Sequence, residues 1–520
     1  MASSLHAPAT IGTQTLRALG RHADRSAFAW DGGSLTGAAA ADLIGRMQKV
    51  LIEGGLAHGE GVALLTANRA ETWCAGVAAQ LAGGCITWLH PLGSLADQLD
   101  QIEDSGAETL IVDAGAFAAR GGELAARAAS LRRVFTVDPA DFGQDILTAA
   151  AAAGATNPRD LAGPDDRAAL NYTGGTTGRS KGALRRHREY APFASAILAD
   201  FELPDRPRYL VAAPISHVAG TKILPVLMRG GTVHLQRGFD PEALLAAIER
   251  ERINMTLMVP TMIYVLLDHP RLAATDLTSL ELLLYGASPM SPSRLIEGFE
   301  RIGPVFSQLY GQTECYPACV LRKVDHDRGR PDLFESCGFP VAACDVRILD
   351  GDDRELPAGE PGEICVRGPH VMAEYWKRPA ETAETLRNGW LHTGDIARRD
   401  ERGYLFILDR KKDMIITGGF NVYPREVEDA LSAHPDVAMV AVIGVPDPKW
   451  GEAVTAFVVP RPGAKPRSDE LIALVKTRRG PAHAPKSVEI VDALPTTGVG
   501  KVDKKLLRTK FWAGQRRLVS

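Results

Sequence analysis

The stretch RAALNYTGGTTGRSKG, residues 167–182, runs from a short apolar segment into a loop dense in glycines, hydroxyl groups and cationic side chains. The apolar part reads as a buried strand that feeds the loop. A glycine-rich turn brings backbone N–H groups up against an anion, and hydroxyls and cations complete such a cradle. The same composition also suits a plain solvated loop, and composition alone does not separate the two. It is not a Walker-type loop, which needs G-x-x-x-x-G-K-[ST]; here Ser180 separates Gly178–Arg179 from Lys181.

Outward from that loop, short apolar strands alternate with alanine-rich amphipathic helices. GVALLTAN (61–68), TLIVDAG (109–115) and RVFTVD (133–138) read as strands, and ETWCAGVAAQLAGG (71–84) and GGELAARAASLRR (121–133) as helices. The alternation resumes with strands YLVAAPI (209–215), GGTVHLQ (230–236), MTLMVP (255–260), ELLLYGA (281–287) and VFSQLYG (305–311). This pattern predicts an α/β fold of mostly parallel sheets covered by helices. From about residue 338 the texture changes to short strands and turns, with hairpin punctuation in DGDD and PAGEPGE, which predicts a β-rich subdomain. A last shift falls at LDRKKDMIITGGFNVYPREVEDAL, residues 408–431. DRKKD reads as an exposed connector, and Pro424 opens a helix with Val427, Ala430 and Leu431 on one face. The expected division is 1–409 and a small α+β C-terminal domain over 410–520.

At 520 residues the chain is too long for one ordinary core. Its net charge of −4, with no basic stripe interleaved with aromatics, argues against nucleic acid. The one dense cationic run, KGALRRHR (181–188), reads as a solvated face that also attracts polyphosphates. The seven cysteines form no C-x-x-C pair and read as small buried apolar residues in a reduced compartment. There is no signal-peptide pattern at the N-terminus, and no apolar run approaches the ~20 residues of a membrane span. A cytoplasmic enzyme is expected.

Four further stretches carry chemistry. In YGQTE (310–314) a carboxylate follows a strand beside a threonine and an aromatic ring, a set able to hold a divalent cation, a phosphate and a flat base. In GWLHTGDIARRDERGYLFILDR (389–410) Asp395 follows a T-G turn, where it can accept from a ribose diol, and Arg410 follows a short strand. In LPTTGVGKVDKKLLR (494–508) Lys501 stands after glycines and threonines. His217 lies in PISHVAG, which reads equally as a buried structural histidine or a site residue.

Taken together and in this order, the stretches resemble the adenylate-forming superfamily of acyl-CoA synthetases, adenylation domains and luciferases over essentially the whole chain. The resemblance implies ATP-dependent conversion of a carboxylic acid to an acyl-adenylate, followed by transfer to coenzyme A with release of AMP and pyrophosphate. The loop Thr173, Gly174, Gly175, Thr176, Thr177, Gly178 and Lys181 would close on the β- and γ-phosphates; Gly174 and Ser180 replace the serine and proline usual there. Gly286, Ala287 and Ser288 would flank adenine, Tyr310 would stack on it, and Gly311 would belong to the same nucleotide-binding set. Thr313 would touch the α-phosphate, Glu314 with Thr173 would hold Mg2+, and Asp395 and Arg410 would hold the ribose. His217 would lie beside the acyl carboxylate and Lys501 would be the adenylation lysine. Lys412 would be the hinge of a mobile C-terminal domain, and Gly419 would line the thiol channel. Ile215, Val218 and Ala219 around His217 suggest an acid without an amine: fatty, aryl or bulky alicyclic. Two other readings remain open: a ligase loading a carrier-protein phosphopantetheine, and a nucleotide-binding regulator without catalysis. A homodimer is implied by the resemblance alone.

Overall fold

Strands buried on both faces read as unbroken apolar runs, and the apolar runs of the sequence take that place. The computed structural model describes residues 9–173, 180–496 and 502–512. One eight-stranded sheet has Gly61–Leu65 at its centre, flanked in parallel by Cys85–Trp88 and Ala107–Asp113, with Arg133–Val137 beyond the latter. Arg167–Tyr172 continues this sheet, and Gly182–Arg186 returns antiparallel beside it, with Tyr172 opposite Gly182. The glycine-rich loop therefore springs from the end of a hairpin.

The second, nine-stranded sheet has a parallel centre of Thr232–Leu235, Arg208–Val211, Met255–Met258, Leu282–Gly286 and Phe306–Gln312. Cys315–Leu321 then doubles back antiparallel on Phe306–Gln312, with Gln312 opposite Cys315, so Thr313 and Glu314 form a tight turn. Asn68, buried at the end of the first sheet's central strand, joins the two sheets. Its side chain donates to the carbonyls of Ala213 (3.0 Å) and Gln236 (2.9 Å) and accepts from the Ile215 N–H (2.9 Å). The helix Ala70–Leu81 is buried along most of its length between these layers.

The expected β-rich part is a five-stranded sheet in which Asp345–Leu349, Gly362–Arg367, Trp390–Arg399 and Leu405–Arg410 pair antiparallel in succession. The C-terminal part has its own sheet, built on the long pair Val437–Asp447 and Gly451–Pro460. Its core is separate and includes Ile415, Leu471 and Val475. The helix opens at Pro424 and runs to Ser432, with Val427, Ala430 and Leu431 buried as the spacing predicted.

Two sequence expectations need correction. KGALRRHR is not a solvated face: Arg185 is buried because Gly182–Arg186 is an interior strand of its sheet, and His187, which opens the short helix His187–Tyr190, is buried as well. DRKKD is not simply exposed either. Asp409 is buried and accepts from the backbone N–H groups of Arg410 (2.7 Å) and Arg425 (3.1 Å), which gives its carboxylate a reason to be inside. The helices Ile11–Arg21 and Gly37–Glu53 are additions that the strand-centred reading passed over; each is N-capped by a threonine side chain. The seven cysteines are free and buried, as expected. No helix among the described residues is long and apolar enough to cross a membrane.

Burial pushes the Asp409 carboxyl up to about 6, against the lowering pull of Lys504. The folded state thus keeps a proton that the unfolded chain gives up at lower pH. That contribution to stability is present in full below an ordinary carboxylate pKa, about 4, and is lost as pH rises through about 6. Relative to Asp409→Asn, the wild type should lose up to about 3 kcal/mol between those limits. Chemical unfolding at a series of pH values checks this; a constant difference between the two proteins contradicts it.

Candidate active site

Asp395 and Arg410 are fifteen residues apart in the chain but stand opposite each other on the antiparallel strands Trp390–Arg399 and Leu405–Arg410. Gly394, with φ +70°, supplies the left-handed backbone just before Asp395. The Thr393 hydroxyl accepts from the Asp395 N–H at 3.1 Å. Asp395 Oδ2 accepts from the Tyr310 hydroxyl (2.7 Å) and from Gln312 Nε2 (2.7 Å), which also donates to the Thr393 carbonyl (2.9 Å). Arg410 Nε lies 3.5 Å from the other oxygen, Oδ1. Burial, and then the charge of Asp395, push the Tyr310 phenol well above its usual range, so it remains a donor. Asp395 in turn raises the Arg410 guanidinium and keeps it cationic. Gln312 sits in the middle of YGQTE, yet only the folded structure shows that it serves Asp395.

The Thr313–Glu314 turn is held from the first sheet. Arg185 donates through Nη2 to the Thr313 carbonyl and through Nε to that of His370. The Tyr375 hydroxyl donates to Glu314 Oε1, and the Met372 N–H donates to the Glu314 carbonyl at 2.8 Å. Glu314 Oε2 has no hydrogen-bond partner among the described residues, so the turn offers an oriented carboxylate with one oxygen open to a cation. The ammonium of Lys181 lies 4.9 Å from the centre of the Tyr375 ring, and the Lys181 carbonyl accepts from the Thr173 N–H at 2.9 Å. Both ends of the glycine-rich loop are thereby joined to Glu314 through Tyr375. Nothing in the sequence singled out Tyr375 or Arg185.

Gly286 ends the neighbouring parallel strand, where a Cβ would lie 2.3 Å from the Leu309 carbonyl oxygen. The chain then turns through Ala287 at φ +65°, a left-handed conformation costly for a residue with a side chain, with Ser288 half-buried after it. Gly311 is equally confined: a Cβ would lie 2.8 Å from the Cys315 carbonyl and 2.9 Å from the Tyr316 ring. On the other side, His217 packs edge-on against His90, with ring centres 4.4 Å apart, and its Nδ1 is 2.8 Å from the Ser216 hydroxyl. Burial lowers the His90 pKa and favours a neutral imidazole there.

The structure thus brings Thr173, Lys181, Tyr310, Gly311, Thr313, Glu314, Asp395 and Arg410 into one connected group. Gly419 is not part of it: it stands at an exposed hairpin tip, φ +82°, where an added Cβ would meet nothing within 4 Å. Lys412 is half-buried rather than exposed, its pKa lowered by burial and then by Arg410. Lys501 and the loop residues Gly174, Gly175, Thr176, Thr177 and Gly178 lie outside the described residues.

An ordered carboxylate, a second one with an oxygen open, and the two strand ends that flank the glycine-rich stretch are gathered here, a set of groups of the kind a nucleotide requires. Comparison with known proteins agrees. The family profile for AMP-binding enzymes matches residues 16–376, and that for the AMP-binding enzyme C-terminal domain matches residues 426–501. The chain belongs to this adenylate-forming family. It is 42% identical to the medium/long-chain-fatty-acid–CoA ligase FadD8 of Mycobacterium tuberculosis, over 99% of this chain and 92% of that protein. It is 45% identical to a feruloyl-CoA synthase of Amycolatopsis over 68% of this chain and 72% of that protein. The amide bond synthetase McbA of Marinactinospora thermotolerans superposes with a TM-score of 0.89 at 36% identity, covering 96% of this chain and all of that one. The protein is an acid–thiol ligase, an AMP-forming acyl-CoA synthetase that uses ATP and coenzyme A.

Arg185→Met leaves two buried carbonyls without their donor and should cost about 2–5 kcal/mol of stability. It should also raise the KM for ATP, since the Thr313–Glu314 turn loses its anchor. Thermal unfolding and ATP-dependent pyrophosphate release measure the two effects; an unchanged KM for ATP contradicts the anchoring role.

Proposed function

We propose that this acyl-CoA synthetase activates a fatty, aryl or bulky alicyclic acid that lacks an α-amino group, with the following division of work. Thr173, Gly174, Gly175, Thr176, Thr177, Gly178 and Lys181 close on the β- and γ-phosphates of ATP. Gly286, Ala287, Ser288 and Gly311 let the backbone approach adenine, and Tyr310 stacks on it. Asp395, already ordered by Tyr310 and Gln312, accepts from the ribose diol with Arg410 beside it. Thr313 touches the α-phosphate. A magnesium ion at Glu314 and Thr173, when bound, offsets the negative charge of the phosphates.

The acid's carboxylate lies beside His217 and attacks the α-phosphorus; the P–O bond to pyrophosphate breaks and the acyl-adenylate forms. This attack joins like charges, so a donor aimed at the developing negative oxygens lowers the barrier, and Lys501 takes that role. The thiol of coenzyme A then adds to the acyl carbon and AMP leaves as the C–O bond breaks. The single observation that carries this reading is the network around Asp395 and Glu314, which joins four distant stretches of the chain around one nucleotide-sized set of donors and acceptors.

For the second step the C-terminal unit, residues 410–520, turns about the segment near Lys412 and brings Gly419 to the thiol path. The contacts between that unit and the rest support such a motion, because they are polar and exchangeable: Ser293 donates to the Ser432 carbonyl (2.9 Å), Arg425 to the Glu335 carbonyl (3.2 Å), and Arg461 pairs with Glu297 (3.5 Å). A carrier-protein thiol is the competing acceptor, and magnesium dependence and a cytoplasmic location follow from the same reading.

Lys501→Ala should lower adenylate formation by about a hundred- to a thousandfold, measured as hydroxylamine-trapped acid, while still converting supplied acyl-adenylate to the thioester. Equal losses in both half-reactions would remove Lys501 from its proposed role. Competition between coenzyme A and a holo-carrier protein in the second assay tests whether a carrier-protein thiol is accepted as well.

A further inference from the structure

The helix Leu95–Ser105 carries Asp104 in its last turn. An aspartate there faces the negative end of the peptide dipoles and is a poor helix former, so the helix by itself gives no reason for it. The partners of Asp104 supply one. Its Oδ2 accepts from the Tyr172 hydroxyl at 2.8 Å, and its Oδ1 accepts from Arg378 Nη2 at 3.1 Å. The Asp104 carbonyl belongs to the set that a helix C-terminus leaves without internal partners. It accepts from Trp376 Nε1 (3.0 Å) and from Lys377 Nζ (2.7 Å). Four donors from distant parts of the chain thus converge on one half-buried residue.

Those donors bracket the glycine-rich stretch. Tyr172 ends the strand that leads into it, and its ring lies against Gly182, the first residue of the strand that leads out. A Cβ on Gly182 would stand 3.1 Å from Tyr172 Cζ. The short strand Glu374–Tyr375 pairs with the outgoing strand, Tyr375 opposite Ala183, and the Trp376 N–H donates to the Gly182 carbonyl at 2.8 Å. The chain then turns left-handed at Lys377, φ +56°, a conformation costly for a residue with a side chain. Around that turn Trp376, Lys377 and Arg378 all meet Asp104. Residues 374–378 therefore hold the outgoing stem directly and the incoming stem through Asp104 and Tyr172.

We propose that Asp104 is a positioning residue for adenylation: by holding the Tyr172 hydroxyl it completes a clamp on both stems of the glycine-rich stretch, and so sets the grip on the β- and γ-phosphates of ATP. It touches no substrate and acts through Tyr172 alone. The step that expels pyrophosphate depends on this clamp, whereas binding of AMP, which lacks those phosphates, does not. The inference rests on the reading of the stretch as the ATP phosphate loop given above.

The test is equilibrium titration of the full-length enzyme with ATP and with AMP, magnesium in excess and no acid present. The ratio of the two dissociation constants reads the grip on the β- and γ-phosphates, and the wild type should bind ATP the more tightly. Tyr172→Phe keeps the ring against Gly182 and removes only the hydroxyl. It should weaken ATP about tenfold and leave AMP within about twofold. Asp104→Ala should weaken ATP at least as much, and Asp104→Asn, which keeps an acceptor for Tyr172, should recover part of the loss. In the Tyr172→Phe background Asp104→Ala should cost less than it does in the wild type, because the two residues act through one bond. Where Asp104→Ala does not fold, Tyr172→Phe decides the matter. An unchanged ATP affinity in Tyr172→Phe, or equal weakening of ATP and AMP, overturns the role of Asp104 alone. A wild type that binds ATP no better than AMP removes the phosphate-loop reading itself, and this inference falls with it.

Discussion

The guanidinium of Arg185, buried between two sheets and spent on the carbonyls of Thr313 and His370, is the contact on which the nucleotide site depends. It comes from the strand directly after the glycine-rich loop, and it ends on the turn that carries Glu314. Burial lowers its pKa, so the cation persists because backbone carbonyls replace the water it has lost. A side chain with less reach or fewer donors would leave the loop and the turn as independent neighbours. With Arg185 in place they are one unit, and Lys181, Tyr375 and Glu314 follow in line.

Asp395 shows the same economy of placement from the β-rich sheet. Two donors of unlike type, a phenol and an amide, converge on one of its oxygens, while Arg410 faces the other. Such a carboxylate is held in one orientation before any ligand arrives, and preorganised acceptors act more strongly for that reason. The three sheets of the larger part each give something to the site: the first gives the loop and Arg185, the second Tyr310 to Glu314, and the third Asp395 and Arg410.

Much of this was legible in the sequence because its information is local. Alternating apolar runs and amphipathic helices reveal parallel sheets, since burial on both faces removes the period of two. Tyr310, Glu314, Asp395 and Arg410 were readable because each belongs to a short stretch in which glycines and hydroxyl residues break an apolar run, and such breaks are visible in neighbouring residues. The cationic run 181–188 and the connector 409–413 were misread for one physical reason. Charge predicts exposure only until a partner offers replacement hydrogen bonds, and the partners of Arg185 and Asp409 lie far away in the chain or in unremarkable backbone.

The sequence by itself determined the class of fold, the order of its parts and the nucleotide-handling chemistry, because strand periodicity, glycine placement and short motifs are properties of neighbouring residues. The tertiary structure alone decided which groups complete the site. Arg185, Gln312 and Tyr375 carry no local signature, and each takes its role from a partner that the fold delivers: a carbonyl of a turn, an oxygen of Asp395 and an oxygen of Glu314. Buried polar groups must be satisfied, and which group satisfies which is set by packing between sheets.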